Sequence, residues 1–226
     1  MNNTKSIGIL GGTFNPIHIG HTLPAQSVAK SLALDKLILL PASMPPHKEQ
    51  PTISAQHRAK MVELVCKDST IFECDTRELN RDGHSYTLDT LKELNAVYPE
   101  QILYFIMGMD SLLTFTTWHK YQEILSLCHI VVTTRPGHPF HHSKKTSVET
   151  DDLLSQHRVK TSQACKKKKS GCIIFSQDLN VQDSPLLDIS STDIRSLLNK
   201  APISRECTRF MHKNVLAYIK KHQLYR

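Results

Sequence analysis

The chain has 226 residues, 39% of them hydrophobic and 22% charged, the composition of an ordinary globular protein of one large domain or two small ones. No run approaches the ~20 apolar residues of a membrane-spanning helix, and the first residues lack the basic-then-apolar pattern of a secretory leader, so no membrane role is expected. The formal charge of +7 is concentrated in residues 135–170, where nine Lys or Arg face three acids; no aromatic residues interleave with the lysines, which argues against nucleic-acid binding.

Strand-like apolar runs fall at 6–10, 36–40, 70–74, 102–107, 130–133 and 172–175. Helical stretches lie between them at 19–33, 55–66, 87–98 and 121–128. In the third of these, Leu88, Leu91 and Leu94 recur three apart and Tyr98 closes the stripe, which reads as a core face. The alternation predicts an α/β fold with a mostly parallel sheet and helices on both faces. Such sheets bind ligands beyond the carboxyl ends of their strands, where the winding reverses.

The tail is helical: an extended 185–190, a helix over 191–199, a break at Pro202 and an amphipathic helix over 205–222. No repeat or linker divides the chain, so a single domain over 1–226 is expected, with a basic insertion at about 137–170. The insertion, with its lysines at 166–169, reads as solvated and mobile. Attraction of polyphosphate substrates, or subunit contact in a homo-oligomer, are the alternatives. Six cysteines without close pairing (66, 74, 128, 165, 172 and 207) suit reduced thiols in the cytoplasm better than a disulfide framework or zinc ribbon.

The stretch GILGGTFNPIHIGH at 8–21 carries the first chemistry. Gly11 and Gly12 remove side chains where backbone amides could face a phosphate. His18 and His21 share one face at the start of a helix whose positive end points the same way. A phosphate cradle, a glycine turn with incidental histidines and a zinc pair all remain readings; the last lacks a third ligand nearby. Further on, SSTDIR pairs Ser190 with Asp193 in a capping box. That leaves the Ser191 and Thr192 hydroxyls and Arg195 for a polyphosphate, or describes a well-capped surface helix. Asp110 follows a strand and could accept from ribose hydroxyls or cap a helix over 111–115. Lys48, after two prolines, could steer phosphates or sit in a solvated loop.

Taken in order, GGTFNPIHIGH, PPHK at 45–48, SYT at 85–87, MGMDSLLTFTTWHKY at 107–121, TTRPG at 133–137, ISSTDIR at 189–195 and the terminal YIKKHQLYR resemble bacterial nicotinate-nucleotide adenylyltransferases. These belong to the H-x-G-H nucleotidyltransferase superfamily, and the resemblance spans nearly the whole chain apart from 138–170. Class I aminoacyl-tRNA synthetases share HIGH but need a longer chain and a lysine signature absent here. Asn15 stands where the family often has Asp. The resemblance implies a Rossmann-like fold and adenylyl transfer from ATP to nicotinate mononucleotide, giving deamido-NAD and pyrophosphate. It places ATP on Gly11, Gly12, Thr13, Phe14, His18, His21, Ser191, Thr192 and Arg195, with His18, His21 and Arg195 acting in catalysis. It places the mononucleotide on Lys48, Tyr86, Thr87, Asp110, Trp118, His119 and Arg135. Mg²⁺ would come mainly on the ATP phosphates, since no carboxylate cluster is visible. A nicotinamide mononucleotide, phosphopantetheine or cytidylyl transferase, or a non-catalytic nucleotide-binding protein, are the rival readings.

Overall fold

The computed structural model describes residues 5–43, 53–81, 83, 85–134, 146–179, 189–200 and 205–226. Their strands are β1 (Ser6–Gly12), β2 (Lys36–Pro41), β3 (Phe72–Cys74), β4 (Ile102–Gly108), β5 (His129–Thr133), β6 (Arg158–Val159) and β7 (Ile173–Phe175). They form one sheet in the order β3-β2-β1-β4-β5-β7-β6. Every neighbouring pair is parallel. This is the expected α/β Rossmann-like architecture. The chain winds from β1 out to β3, then crosses back to β4 on the other side of β1, so the winding reverses between β1 and β4.

The helices are α1 (Ile19–Leu32), α2 (Ala55–Lys67), α3 (Thr87–Val97), α4 (Met109–Leu113), α5 (Tyr121–Leu127), α6 (Val148–His157), α7 (Ser162–Lys166), α8 (Ser191–Leu198), α9 (Cys207–Phe210) and α10 (Lys213–Lys221). None is long and apolar enough to cross a membrane. Alternation within the strands explains the two layers. Leu37, Leu39, Tyr104 and Ile106 pack against α1, α2, α8 and α10 through Val28, Met61, Ile194 and Ile219. Ile7, Ile9, Leu103 and Phe105 point the other way, onto Leu91 of α3, Ile124 of α5 and Leu153 of α6. The Leu88, Leu91, Leu94 stripe is buried as its spacing requires, each leucine contributing about 1.5–3 kcal/mol.

Two expectations are corrected. The insertion is not a solvated, mobile run over its whole length. Ser147 caps α6, accepting from Thr150 N at 3.2 Å, and Leu153 and Leu154 go into the core. β6 then adds a strand beside β7, and Cys165 of α7 is fully buried. Among the described residues the lysines 166–169 are exposed, as the solvated reading expects, and of these Lys169 donates to the Pro99 carbonyl at 2.8 Å. The last amphipathic helix is two helices, because Met211 and His212 are extended between α9 and α10. Met211 is buried there and His212 Nε2 lies 3.0 Å from Thr22 Oγ1 on α1.

Candidate active site

The glycine turn, the candidate phosphate turn, leaves β1 at Gly12 and enters α1 at Ile19. His18 is the N-cap, in extended conformation, and its Nδ1 accepts from Gly20 N at 3.1 Å. His21, at the third helical position, returns the favour: its Nδ1 accepts from His18 N at 3.3 Å. The two imidazoles thus form a capping box in place of the usual hydroxyl and carboxylate. Each Nδ1 is an acceptor, so each neutral ring carries its proton on Nε2. The rings lie 3.9 Å apart between centroids, which places two N–H donors side by side at a helix N-terminus. Gly20 is required by close approach: a Cβ there would lie 2.8 Å from His18 Cε1 and 2.9 Å from His18 Nδ1.

Two further elements hold this turn. Arg195 of α8 donates to the Asn15 carbonyl at 2.9 Å and to Thr192 Oγ1 at 3.0 Å. Ser191 Oγ donates to the Pro16 carbonyl at 3.2 Å, so this hydroxyl, read from sequence as available to phosphate, is tied to the turn instead. Ser190 and Asp193 form the expected capping box. The sequence reading missed Tyr225, whose hydroxyl donates to Asn15 Oδ1 at 2.8 Å. Asn15 gives that hydroxyl a neutral acceptor. Burial pushes the Tyr225 phenol well above its ordinary range, against the pull of Arg195 and Arg58.

Across the β1–β4 seam the other wall is aromatic. A Cβ on Gly11 would meet the ring of Phe105 at 3.8 Å, and Trp118 stands edge-on to Phe105 and Phe115 at 6.2 and 5.5 Å. The exposed ring of His119 lies 4.8 Å from Tyr86. Thr87 opens α3, and the stretch before it is held by Ser85 Oγ donating to the Glu78 carbonyl at 3.3 Å. Among the backbone N–H groups of this wall, that of Trp118 is already bonded to the Phe115 carbonyl at 3.0 Å. Thr87 N–H and His119 N–H have no partner among the described residues. Asp110 does not cap a helix: Gly108 is the N-cap of α4, and Asp110 is an exposed residue of its first turn. Lys48 and Arg135 lie outside the described residues.

A family model described as cytidylyltransferase-like matches residues 9–197. A relative from Yersinia pestis (strain Pestoides F), named "Probable nicotinate-nucleotide adenylyltransferase", is 40% identical over 222 residues, covering 96% of this chain and 94% of its own. One of the same name from Shewanella sp. (strain MR-7) is 43% identical over 225 residues, covering 97% and 98%. The chain belongs to the nicotinate-nucleotide adenylyltransferase family. The fold agrees with that of Plasmodium falciparum nicotinic acid mononucleotide adenylyltransferase in complex with NaAD, at TM-score 0.68 and 18% identity, over 98% of this chain and 97% of that one. The same Plasmodium enzyme in complex with APC gives 0.67 and 19%, with the same coverage.

Elsewhere in this adenylyltransferase family member, His129, Cys165 and Cys172 converge in the core. Both ring nitrogens of His129 are engaged there, Nδ1 accepting from Cys172 N and Nε2 facing the Lys168 carbonyl, each at 3.1 Å. That chemistry fits a satisfied structural histidine, not a ligand. Burial pushes the Cys128 and Cys165 thiols up to about 12, which keeps them protonated and unreactive at neutral pH.

Proposed function

We propose that the protein transfers the adenylyl group of ATP to nicotinate mononucleotide in the cytoplasm, supplying deamido-NAD for NAD biosynthesis. A phosphate oxygen of the mononucleotide attacks the α-phosphorus of ATP in line. The new P–O bond forms as the α–β bridge bond breaks, and pyrophosphate leaves with the bonding electron pair. No side-chain nucleophile takes part, so catalysis rests on positioning and on stabilising charge as the five-coordinate centre forms.

The observation that carries this reading is the pair of Nε2–H donors fixed at the α1 N-terminus, above the switch point of the sheet. These donors face the α- and β-phosphates, the glycine end of β1 lets the nucleotide approach the backbone, and Arg195 adds positive charge across the turn. The turn offers N–H donors, which suit phosphate oxygens and not a hard cation. Mg²⁺ carried on the ATP phosphates would, when bound, supply charge neutralisation for the leaving pyrophosphate, with no side chain of the turn as its ligand. Trp118 and Tyr86 provide faces for the pyridine ring, while Thr87 N–H and His119 N–H take the nicotinate carboxylate. Asp110, exposed in the first turn of α4, accepts from ribose hydroxyls.

The test is pyrophosphate release from ATP with a panel of acceptors, with mass analysis of the product. Nicotinate mononucleotide should yield pyrophosphate and a dinucleotide in equal amounts. Activity with phosphopantetheine alone would contradict the reading.

A further inference from the structure

Arg58 lies on α2, outside every motif singled out in the sequence, yet it is 1% exposed. Its guanidinium donates to three backbone carbonyls: Thr13 and Ala42, each at 2.7 Å, and Ser43 at 3.1 Å. All three lie just past the last ladder pair of β1 and β2, Gly12 opposite Pro41. Beyond that pair one backbone bond remains, from Ala42 N to the Gly12 carbonyl at 2.9 Å. The strands diverge here because β1 must turn off into the phosphate turn. A planar fork with several donors can bridge the gap where a ladder cannot.

The consequence lies on the opposite edge of the same peptides. The Gly12–Thr13 and Thr13–Phe14 peptides are trans; the cis bond in the turn is Asn15–Pro16. In a trans peptide the C=O and N–H point in opposite directions. With the Gly12 carbonyl held by Ala42 and the Thr13 carbonyl held by Arg58, the N–H groups of Thr13 and Phe14 are both turned away from β2, towards the β1–β4 seam. Phe14 follows with φ of 48°, in the left-handed region. Successive N–H groups facing one way are the geometry of an anion nest. We propose that Arg58 is a positioning residue for the ATP site, holding the Thr13 and Phe14 N–H groups towards the nucleotide phosphates. It touches no substrate itself. This proposal rests on the phosphate turn being the ATP site.

The test compares wild type, Arg58→Lys and Arg58→Met by calorimetry with α,β-methylene-ATP and, separately, nicotinate mononucleotide, alongside steady-state kinetics. Arg58→Met should weaken binding of the ATP analogue and lower kcat by ~10–10²-fold, less than the ~10²–10³-fold for outright loss of a donor because the N–H groups stay in place but are no longer held. Affinity for the mononucleotide should stay within about threefold, because its wall is built from other elements. Arg58→Lys keeps the charge but not the fork, and should fall between the two. If Arg58→Met does not fold, Arg58→Lys carries the test with the same ligand asymmetry. A folded variant that binds the ATP analogue like wild type, or loses both ligands equally, overturns the proposal. Absence of dinucleotide synthesis by the wild type would instead sink the adenylyl-transfer reading, and the binding comparison would still decide the role of Arg58.

Discussion

On the phosphate wall, the Nδ1 atoms of His18 and His21 are taken by backbone N–H groups, and Arg58, Arg195 and Tyr225 each bond to the turn beside them. On the acceptor wall, the side chains of Tyr86, Asp110 and His119 carry no hydrogen bond or ion pair among the described residues, and Tyr86 and His119 touch through their rings. The difference teaches how the work of the site is divided. The phosphate wall is preorganised by the fold, so its donors need no rearrangement when charge develops. Under the proposed function the acceptor wall takes its polar partners from the substrate, and it should set selectivity and KM more than turnover.

The largest effect expected from this contrast is in kcat. His18→Asn retains a good N-cap but removes the Nε2–H, and should lower kcat by ~10²–10³-fold. His18→Ala should show the same kinetic loss and, in addition, about 1 kcal/mol lower stability from the missing cap. Near-normal turnover in His18→Asn would show that the phosphate wall works through its backbone alone.

Next in size is the choice of acceptor. In the proposed pocket a carboxylate would accept from Thr87 N–H and His119 N–H with both oxygens, whereas an amide would have to turn its own NH₂ towards one of them. Facing one buried donor with another costs roughly 1–3 kcal/mol, and a charged acceptor bonds more strongly than a neutral one. Because Trp118 N–H is already used within the chain, the preference rests on fewer donors and on the α3 N-terminus. Nicotinate over nicotinamide mononucleotide should be favoured by about 10²-fold in kcat/KM. Equal use of the two would break the account of the acceptor wall and leave the phosphate wall standing.

The glycine turn and its histidine cap were legible because their signal is local. Two glycines, a histidine cap and its partner fall within one short stretch, and their physics is that of a turn feeding a helix. The parallel sheet was legible for a similar reason, since buried strands are short continuous apolar runs. Arg58 and Tyr225 were not, because they reach Thr13 and Asn15 across 45 and 210 residues. An arginine in a helix reads as solvated until its carbonyl acceptors are in view. The insertion was misread because its net charge masked a capped helix with two buried leucines, and because a two-residue strand has no periodicity to detect.

A pH effect on stability separates the fold from the site. Burial holds His129 and His212 below the ordinary imidazole range. The unfolded chain therefore takes up protons first, below about pH 6.5, and folded stability is lost as pH falls through that value towards the lower folded ones. The melting temperature should drop on acidification from neutral pH, and less so in His212→Gln, whose side chain does not titrate. The smallest effect should come from the exposed lysines. Replacing Lys166, Lys167 and Lys168 by Gln should leave kcat within about threefold, with any change in the KM for ATP fading as salt shortens the screening length. A large, salt-insensitive loss of kcat would place these lysines at the phosphates and give the site a third wall.

The central claim is that the fold alone sets the donors of the phosphate wall, and ¹⁵N NMR of the imidazole rings tests it most directly. In the ligand-free protein at neutral pH, both His18 and His21 should show the neutral tautomer protonated on Nε2, unchanged when α,β-methylene-ATP is added. A ring protonated on Nδ1, or a tautomer that switches only when the nucleotide binds, would contradict it.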